Sequence, residues 1–336
     1  MNPVEHHLKK ELFNVTAGTF DALALQLFLF QYKNNPVYRQ YCKTLKIIPA
    51  AITSLQQIPF LPIRFFKTKN IMTGSFQPQA VFESSGTTGS TNSLHLVKEL
   101  SLYEESFVKS FIHFYGDISQ YCILGLLPSY LQKGNSSLVY MVNELIKCSS
   151  STLSGFYLDD YKKLYETIAK NEEGAQKTLL IGVTYALLDF AEQYQPGMRN
   201  TIVMETGGMK GRRKELTREQ VHQKLKQRLG ISAVHSEYGM TELLSQAYSH
   251  ENGKFICPAW MKVLIRADDD PFMITVNLSV ENNAAEGLIN IIDLANLYSC
   301  AFIATDDLGK LYADGSFEVR GRMDNSDIRG CGLMIL

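Results

Sequence analysis

The sequence predicts an α/β protein whose sheets are flanked by helices, with a smaller β-rich unit behind it, and three observations carry that prediction. From about residue 120, short apolar runs bounded by Gly or Pro alternate with helical segments. Over the last hundred or so residues the helical segments give way to strand-like runs joined by short turns. The totals are those of a globular chain: 336 residues, 45% hydrophobic and 20% charged. That is enough chain to bury a large core, as one large domain or two unequal ones.

Each element has its own signal. FDALALQLFLFQYK at 20–33 is nearly continuously apolar and predicts a buried helix. Val37, Tyr38, Tyr41 and Leu45 recur at roughly helical spacing and predict a second helix over about 36–45. Pro59 and Pro62 interrupt any regular element in IPFLPIRFF. YCILGLLP, TLLIGV and NTIVMETGG read as strands, and SLVYMVNELI and DYKKLYETIAK as the helices between them. KVLIRA, FMITVNLSV, GLINIIDL and GSFEVRG then read as the strands of the β-rich unit. No internal repeat and no low-complexity linker marks a boundary.

Composition excludes several functions. A net charge of −1 suits neither nucleic acid nor an anionic membrane as main partner. No apolar run approaches the ~18–20 residues that span a bilayer. The N-terminal MNPVEHHLKKELFNV carries charges where a signal peptide needs an apolar stretch, so export is not expected. Cys42, Cys122, Cys148, Cys257, Cys300 and Cys331 are scattered, without the spacing of a zinc site. A reduced, cytoplasmic protein is the expectation. The stretch Lys210–Arg228 is basic, but Leu216, Val221, Leu225 and Leu229 fall at helical spacing, which predicts a solvated amphipathic helix.

Four loops carry the chemistry. FESSGTTGSTNS (82–93) follows an apolar approach, and Gly86 and Gly89 free the backbone to present consecutive N–H groups. Ser84, Ser85, Thr87 and Thr88 add hydroxyls, so the loop suits phosphate oxygens without net charge. It lacks the GK[ST] ending of a Walker A loop, and an ordinary flexible loop is the other reading. TGGMKGRRKEL (206–216) places glycines and basic side chains behind a strand-like run. VHSEYGMTE (234–242) offers a strand end, an aromatic, Gly239, a threonine and an acid. ATDDLGKLYADGSFEVRGRMDNSDIRG (304–330) brings an acid pair, a tight turn and arginines.

In this order the four blocks resemble the adenylate-forming superfamily of acyl-CoA synthetases, peptide-synthetase adenylation domains and firefly luciferase. The resemblance spans roughly residues 80–330 and implies that superfamily's large-domain fold. It implies ATP and Mg²⁺ as cofactors and a site assembled block by block. Ser84, Ser85, Gly86, Thr87, Thr88 and Gly89 look like the triphosphate loop, and Gly207 and Gly208 lie where the backbone passes the adenine. Tyr238, followed by Gly239, matches the aromatic that stacks on the base. Thr241 matches the hydroxyl at the α-phosphate, and Glu242 the carboxylate that holds Mg²⁺. Asp307 corresponds to the acceptor of both ribose hydroxyls, Arg322 to the arginine near ribose and phosphate, and Asp324 to the hinge.

Two departures refine the resemblance. Relatives continue for roughly a hundred residues past the hinge into a lid carrying a catalytic lysine, whereas this chain stops twelve residues after Asp324. The lid is expected to be absent or vestigial, with Lys210, Arg212 or Arg213 supplying the missing positive charge. The tail RGCGLMIL, together with IPFLPIRFFK and LPSYLQKGNSSLVYM, resembles the acyl-protein synthetase (LuxE) family. That resemblance implies adenylation of a fatty or related carboxylic acid, then acyl transfer to Cys331 as a thioester for a partner acyl reductase. Cys331 lies between Gly330 and Gly332 and beside Arg329, a setting that suits a mobile thiolate nucleophile. The domain expectation is 1–322 as an adenylate-forming body, β-rich at about 255–322, with 323–336 as hinge and tail. Two alternatives stay open: transfer to CoA or a carrier-protein thiol, and a non-catalytic subunit that binds nucleotide or partner.

Overall fold

A computed structural model describes residues 3–84, 91–127, 135–174, 176–208, 216–268, 270, 272–274 and 284–323. Three helices lead: α1 (Pro3–Glu11), α2 (Phe20–Asn34) and α3 (Pro36–Thr44). The apolar run at 20–33 is indeed a buried helix, with Phe20, Leu23, Ala24, Leu27, Phe28 and Phe30 inside. Its one fully buried polar residue is satisfied by a distant segment. The Gln31 amide donates to the carbonyls of Asn296 and Leu297 (2.8 and 3.1 Å), and its oxygen accepts from the Ala301 N–H (2.9 Å). The Asn35 side chain caps α3 by accepting from the Tyr38 N–H, and Pro36 follows at the position where a missing N–H costs nothing.

The proline-interrupted stretch holds a two-residue strand, β1 (Leu61–Pro62), and a single helical turn, α4 (Phe65–Thr68). The antiparallel pair β2 (Ala80–Glu83) and β3 (Leu94–Val97) follows, then α5 (Leu100–Tyr115). Next come β4 (Tyr121–Leu126), α6 (Ser137–Cys148), β5 (Gly155–Phe156), α7 (Tyr161–Glu172), β6 (Lys177–Gly182), α8 (Thr184–Gln193), β7 (Thr201–Glu205), α9 (Arg218–Leu229), β8 (His235–Tyr238) and β9 (Ala247–Ser249). Among the described residues these strands form one sheet in the order β5-β4-β6-β7-β8-β9, parallel except for the last pair. Every residue of β4 and all but the first of β6 are buried, as expected of parallel strands covered on both faces. The amphipathic helix expected in the basic stretch is α9, which buries Val221, Leu225 and Leu229.

The chain then turns antiparallel: β10 (Lys254–Phe255), β11 (Met261–Arg266), β12 (Ala284–Asp293), β13 (Phe302–Tyr312) and β14 (Phe317–Arg322). They pair in the order β10-β14-β13-β12-β11, and β1 adds to β13 in parallel. Of FMITVNLSV only 272–274 is described. Register slips between Leu288 and Asn290 and between Leu308 and Gly309 bend this sheet, and Gly309 sits in the bend with no room for a side chain. One apolar cluster runs from α2 through both sheets, so the α/β architecture read from the sequence is the one observed. Tyr238, at the C-terminal end of β8, meets Asp307 midway along β13, and the candidate site lies there.

Candidate functional site

Tyr238 ends β8 and Asp307 lies in β13, so neither strand could form this contact alone. The Tyr238 Oη donates to Asp307 Oδ2 at 2.8 Å. The ring packs against Phe255 and edge-on against Phe317, with centroids 5.8 and 5.4 Å away. Arg322 is the cross-strand partner of Asp307, and its Nε stands 3.5 Å from Oδ1. Burial raises the Asp307 pKa, while the Arg322 charge and the Tyr238 hydroxyl work in the opposite direction. Asp306, next in the strand, points to the other face, where Arg64 reaches its carboxylate at 3.3 Å.

Thr241 and Glu242 leave β8 in a short turn held from three sides. The Thr241 carbonyl lies 2.8 Å from His95 Nδ1. A carbonyl only accepts, so Nδ1 carries the proton, and burial holds the imidazole neutral with its pKa near 4. The Glu242 carbonyl accepts from Asn296 Nδ2 at 2.9 Å. Beyond the turn, the buried Asp293 carboxylate accepts from the N–H groups of Leu244 and Ser245 (2.9 and 3.0 Å) and from the Ser245 hydroxyl (2.6 Å). Burial pushes Asp293 up to about 6 against those hydrogen bonds. The Glu242 carboxyl is also buried, which raises its pKa, and Ser93, Arg322 and Lys67 counter the rise. Gly239 is a glycine for space: a Cβ would come within 2.3 Å of Glu237 Oε1. Glu237 itself is pushed up to about 8 by burial and by the charge of Glu205.

Gly207 and Gly208 adopt φ of +74° and +91°, a left-handed path that glycine takes without strain. The residue that holds them is Glu205, at the C-terminal end of β7. Its Oε2 accepts from the Gly207 N–H (3.1 Å) and the Thr184 hydroxyl (2.8 Å), and its Oε1 accepts from Ser236 (3.2 Å). Arg218 and His222 of α9 stand 3.5 and 3.6 Å away. Burial opposes the charge, but His222, Arg218 and Thr184 outweigh it and hold the carboxylate near 2. Because Ser236 donates to Glu205, its oxygen is free to accept from His222 Nε2 at 3.3 Å. Arg218 also donates to the Val319 carbonyl of β14 (2.8 Å) and lies over the Phe255 ring, tying the two sheets together beside the site.

Ser84 closes the foot of the hydroxyl-rich loop: its N–H donates to the Ser93 carbonyl (3.0 Å) and its Oγ accepts from the Ser93 N–H (2.8 Å). Ser85, Gly86, Thr87, Thr88 and Gly89 lie outside the described residues, as do Lys210, Arg212, Arg213, Asp324 and Cys331. Of the candidates that are described, Tyr238, Asp307 and Arg322 come together directly. Gly207 reaches them through Glu205 and Ser236, and Ser84 reaches Glu242 through Ser93. Sequence reasoning missed Glu205, His95, Asp293 and Ser93. Only Glu205 carried a local signal, an acid immediately before the TGG run. Among the described residues no His, Cys, Asp and Glu cluster of three or more is arranged to hold a metal. No described helix is long and apolar enough to cross a membrane.

The family model described as acyl-protein synthetase, LuxE, matches residues 14–336. The long-chain-fatty-acid–luciferin-component ligase of Vibrio harveyi is 23% identical over 328 residues, covering 91% of this chain and 84% of that one. Among solved structures, the luciferase-like enzyme of the mealworm Zophobas morio is 16% identical with a TM-score of 0.48, over 75% of this chain and 60% of its own. The O-succinylbenzoate coenzyme A synthetase of Bacillus subtilis, solved with AMP, is 17% identical with a TM-score of 0.47, over 74% and 64%. A long-chain-fatty-acid-CoA ligase of Archaeoglobus fulgidus is 13% identical with a TM-score of 0.48, over 72% and 51%. The chain thus spans about half to two thirds of the length of these solved enzymes.

Proposed function

The chain belongs to the LuxE acyl-protein synthetase family, a family of ligases, and on that premise we propose that it activates a fatty or related carboxylic acid with ATP and carries the acyl group on Cys331. The observation that carries the reading is the Tyr238–Asp307–Arg322 constellation, three side chains from three strands of the two sheets converging at one place. Tyr238 presents a ring to the adenine beside the Gly207–Gly208 backbone. A carboxylate offers about four acceptor directions, so Asp307 can keep its Tyr238 bond and still take the ribose hydroxyls. Thr241 and the loop Ser84–Gly89 supply donors to phosphate oxygens, and Arg322 adds positive charge. Glu242 fits Mg²⁺: it is a single carboxylate without a described ion pair, and this ion is commonly held by one or two carboxylates plus substrate phosphates.

In the first step the acid's carboxylate oxygen bonds to the α-phosphorus while the bond from that phosphorus to the bridging oxygen breaks, and pyrophosphate leaves. In the second the Cys331 thiolate attacks the acyl carbonyl carbon, AMP leaves, and a thioester remains for an acyl reductase to collect. Tethering the thiol to the body raises its effective concentration at the adenylate.

Intact mass after incubation with ATP, Mg²⁺ and a panel of fatty acids, beside Cys331→Ser, tests this reading. A hydroxylamine-labile acyl adduct on the wild type alone is the expected result. No adduct on either protein, with pyrophosphate still exchanging into ATP, would move the acceptor to CoA or a carrier thiol. No adduct and no exchange would leave a binding subunit.

A further inference from the structure

Where the chain approaches β1 it lines an apolar cavity of about 550 Å³ that shares no residue with the candidate site. That volume falls within the ~300–1,000 Å³ of small-molecule pockets. Three segments enclose it: the end of α3, the short turns Pro49–Ala51 and Leu55–Gln57 with the run 58–60 behind them, and the pair Phe272 and Ile274. Hydrogen bonds fix the walls. The Tyr38 and Tyr41 hydroxyls donate to the carbonyls of Pro59 and Phe60 at 2.6 and 3.1 Å. The Ala267 N–H donates to the Met273 carbonyl at 2.9 Å, and Ile274 bridges to Arg266. Ile58, Phe60 and Ile274 are buried and form the floor, whereas Ile48 and Phe272 line the mouth at 68% and 53% exposure. An apolar chain entering there leaves water on the mouth as well as the floor.

The lining carries one charge, Lys46, which follows α3 at a φ of +56°. Its N–H donates to the Lys43 carbonyl (2.9 Å) and the Ile47 N–H to the Cys42 carbonyl (3.0 Å). These two bonds make a Schellman cap, whose left-handed position glycine takes with least strain. A lysine stands there instead, exposed, and among the described residues its ammonium has neither an ion pair nor a hydrogen-bond acceptor. The Gln57 side chain, also in the lining, is already spent: its oxygen accepts from the N–H groups of Thr53 and Ser54 at 2.8 and 3.2 Å. We infer that this cavity binds the chain of a long-chain carboxylate with its head at the Lys46 ammonium, at a place separate from the one where an acid would be activated. The charge decides the class, because a neutral lipid leaves the ammonium unpaired and a cationic amphiphile is repelled by it. The inference does not depend on adenylation.

The test is photolabelling of the full chain, without nucleotide, by tetradecanoic acid carrying a diazirine near its methyl end, with the labelled residues mapped by mass spectrometry. Saturable label is expected on residues 47–60 and 272–274, displaced by unlabelled tetradecanoate. Shorter acids should displace it less well, by about fourfold for each methylene removed. Tetradecanol, with the same chain and no charge, should compete about two- to fivefold less well than tetradecanoate, the range of an ion pair at an exposed rim. That difference should vanish in Lys46→Gly. Glycine suits the left-handed position, so this variant should melt no lower than wild type, and its loss of preference is not a loss of fold. Ala51→Trp, which sends an indole into the cavity from an exposed position, should keep its melting temperature and lower labelling of both segments by about tenfold or more. Label confined to other segments, or unchanged in Ala51→Trp, would overturn the inference. Equal competition by tetradecanol and tetradecanoate in the wild type would overturn the carboxylate. Self-association that is lost in Phe272→Ser, with no label on this face, would overturn it in favour of a second copy of the chain. Pyrophosphate exchange is measured separately on each variant, so failure here and failure of the adenylating reading are distinguishable.

Discussion

Asp307 uses one oxygen on Tyr238 and turns the other toward Arg322, so its geometry is set before any nucleotide arrives. Replacing it with Asn keeps the shape, removes the charge and leaves Arg322 without its partner. A hydrogen bond to a charged group is worth about 1.5–3 kcal/mol, so Asp307→Asn is expected to weaken ATP binding about 10- to 100-fold. The protein should remain folded; calorimetric titration checks the affinity and thermal melting the fold. Tyr238→Phe removes the hydroxyl but keeps the ring, and should cost less. Asp307 was legible in the sequence because it sits in a recognisable string. Its hydrogen-bond partner was not, because Tyr238 lies 69 residues away.

At the scale of elements, the bend in β12–β14 carries Asp307 to the site and depends on small residues. A Cβ on Gly309 would lie 2.6 Å from Ile289 Cδ1 and 2.7 Å from the Glu318 carbonyl oxygen. The carbonyl belongs to the paired strand and cannot swing away, so Gly309→Ala must shift the ladder two residues from Asp307. Such overpacking typically costs about 1–3 kcal/mol. We expect Gly309→Ala to lower the midpoint of chemical denaturation accordingly and to weaken ATP binding as well. Gly315→Ala, in a turn with nothing within 4 Å of the added atom, should leave ATP binding unchanged even though its φ of +81° strains it locally. The β1–α4 unit was the element hardest to foresee, since two prolines in four residues look like a plain break. A proline is tolerated in an edge strand, and β13 accepted it there.

Across the whole molecule, two acids next to the site, Glu205 and Glu237, have opposite pH dependence. Glu205, held near 2 in the fold, lies below its ordinary carboxylate value. Its stabilising contribution is therefore full above about pH 4.5 and is lost as pH falls toward 2. Glu237, pushed up to about 8, lies above it. Its contribution is full below about pH 4.5 and is lost as pH rises through 8. Denaturation midpoints followed across pH should show both limbs. Glu205→Gln should flatten the acid limb, worth about 3 kcal/mol from the size of the shift, and Glu237→Gln the other.

What the sequence determined by itself were the features set within a few residues. The alternation of apolar runs and helical spacing defined the α/β body, and the strings IPFLPIRFFK, LPSYLQKGNSSLVYM and RGCGLMIL, read beside the four loop blocks, placed the chain in its family. These depend on local periodicity and turn chemistry, which neighbouring residues write directly. Only the tertiary structure decided that Glu205 holds the Gly207 backbone, that His95 holds Thr241 across 146 residues, and that Gln31 joins α2 to Asn296 across 265. Burial and the long-range field of other charges determine those roles. Neither quantity exists until the two sheets are packed, so no pattern along the chain can encode it in readable form.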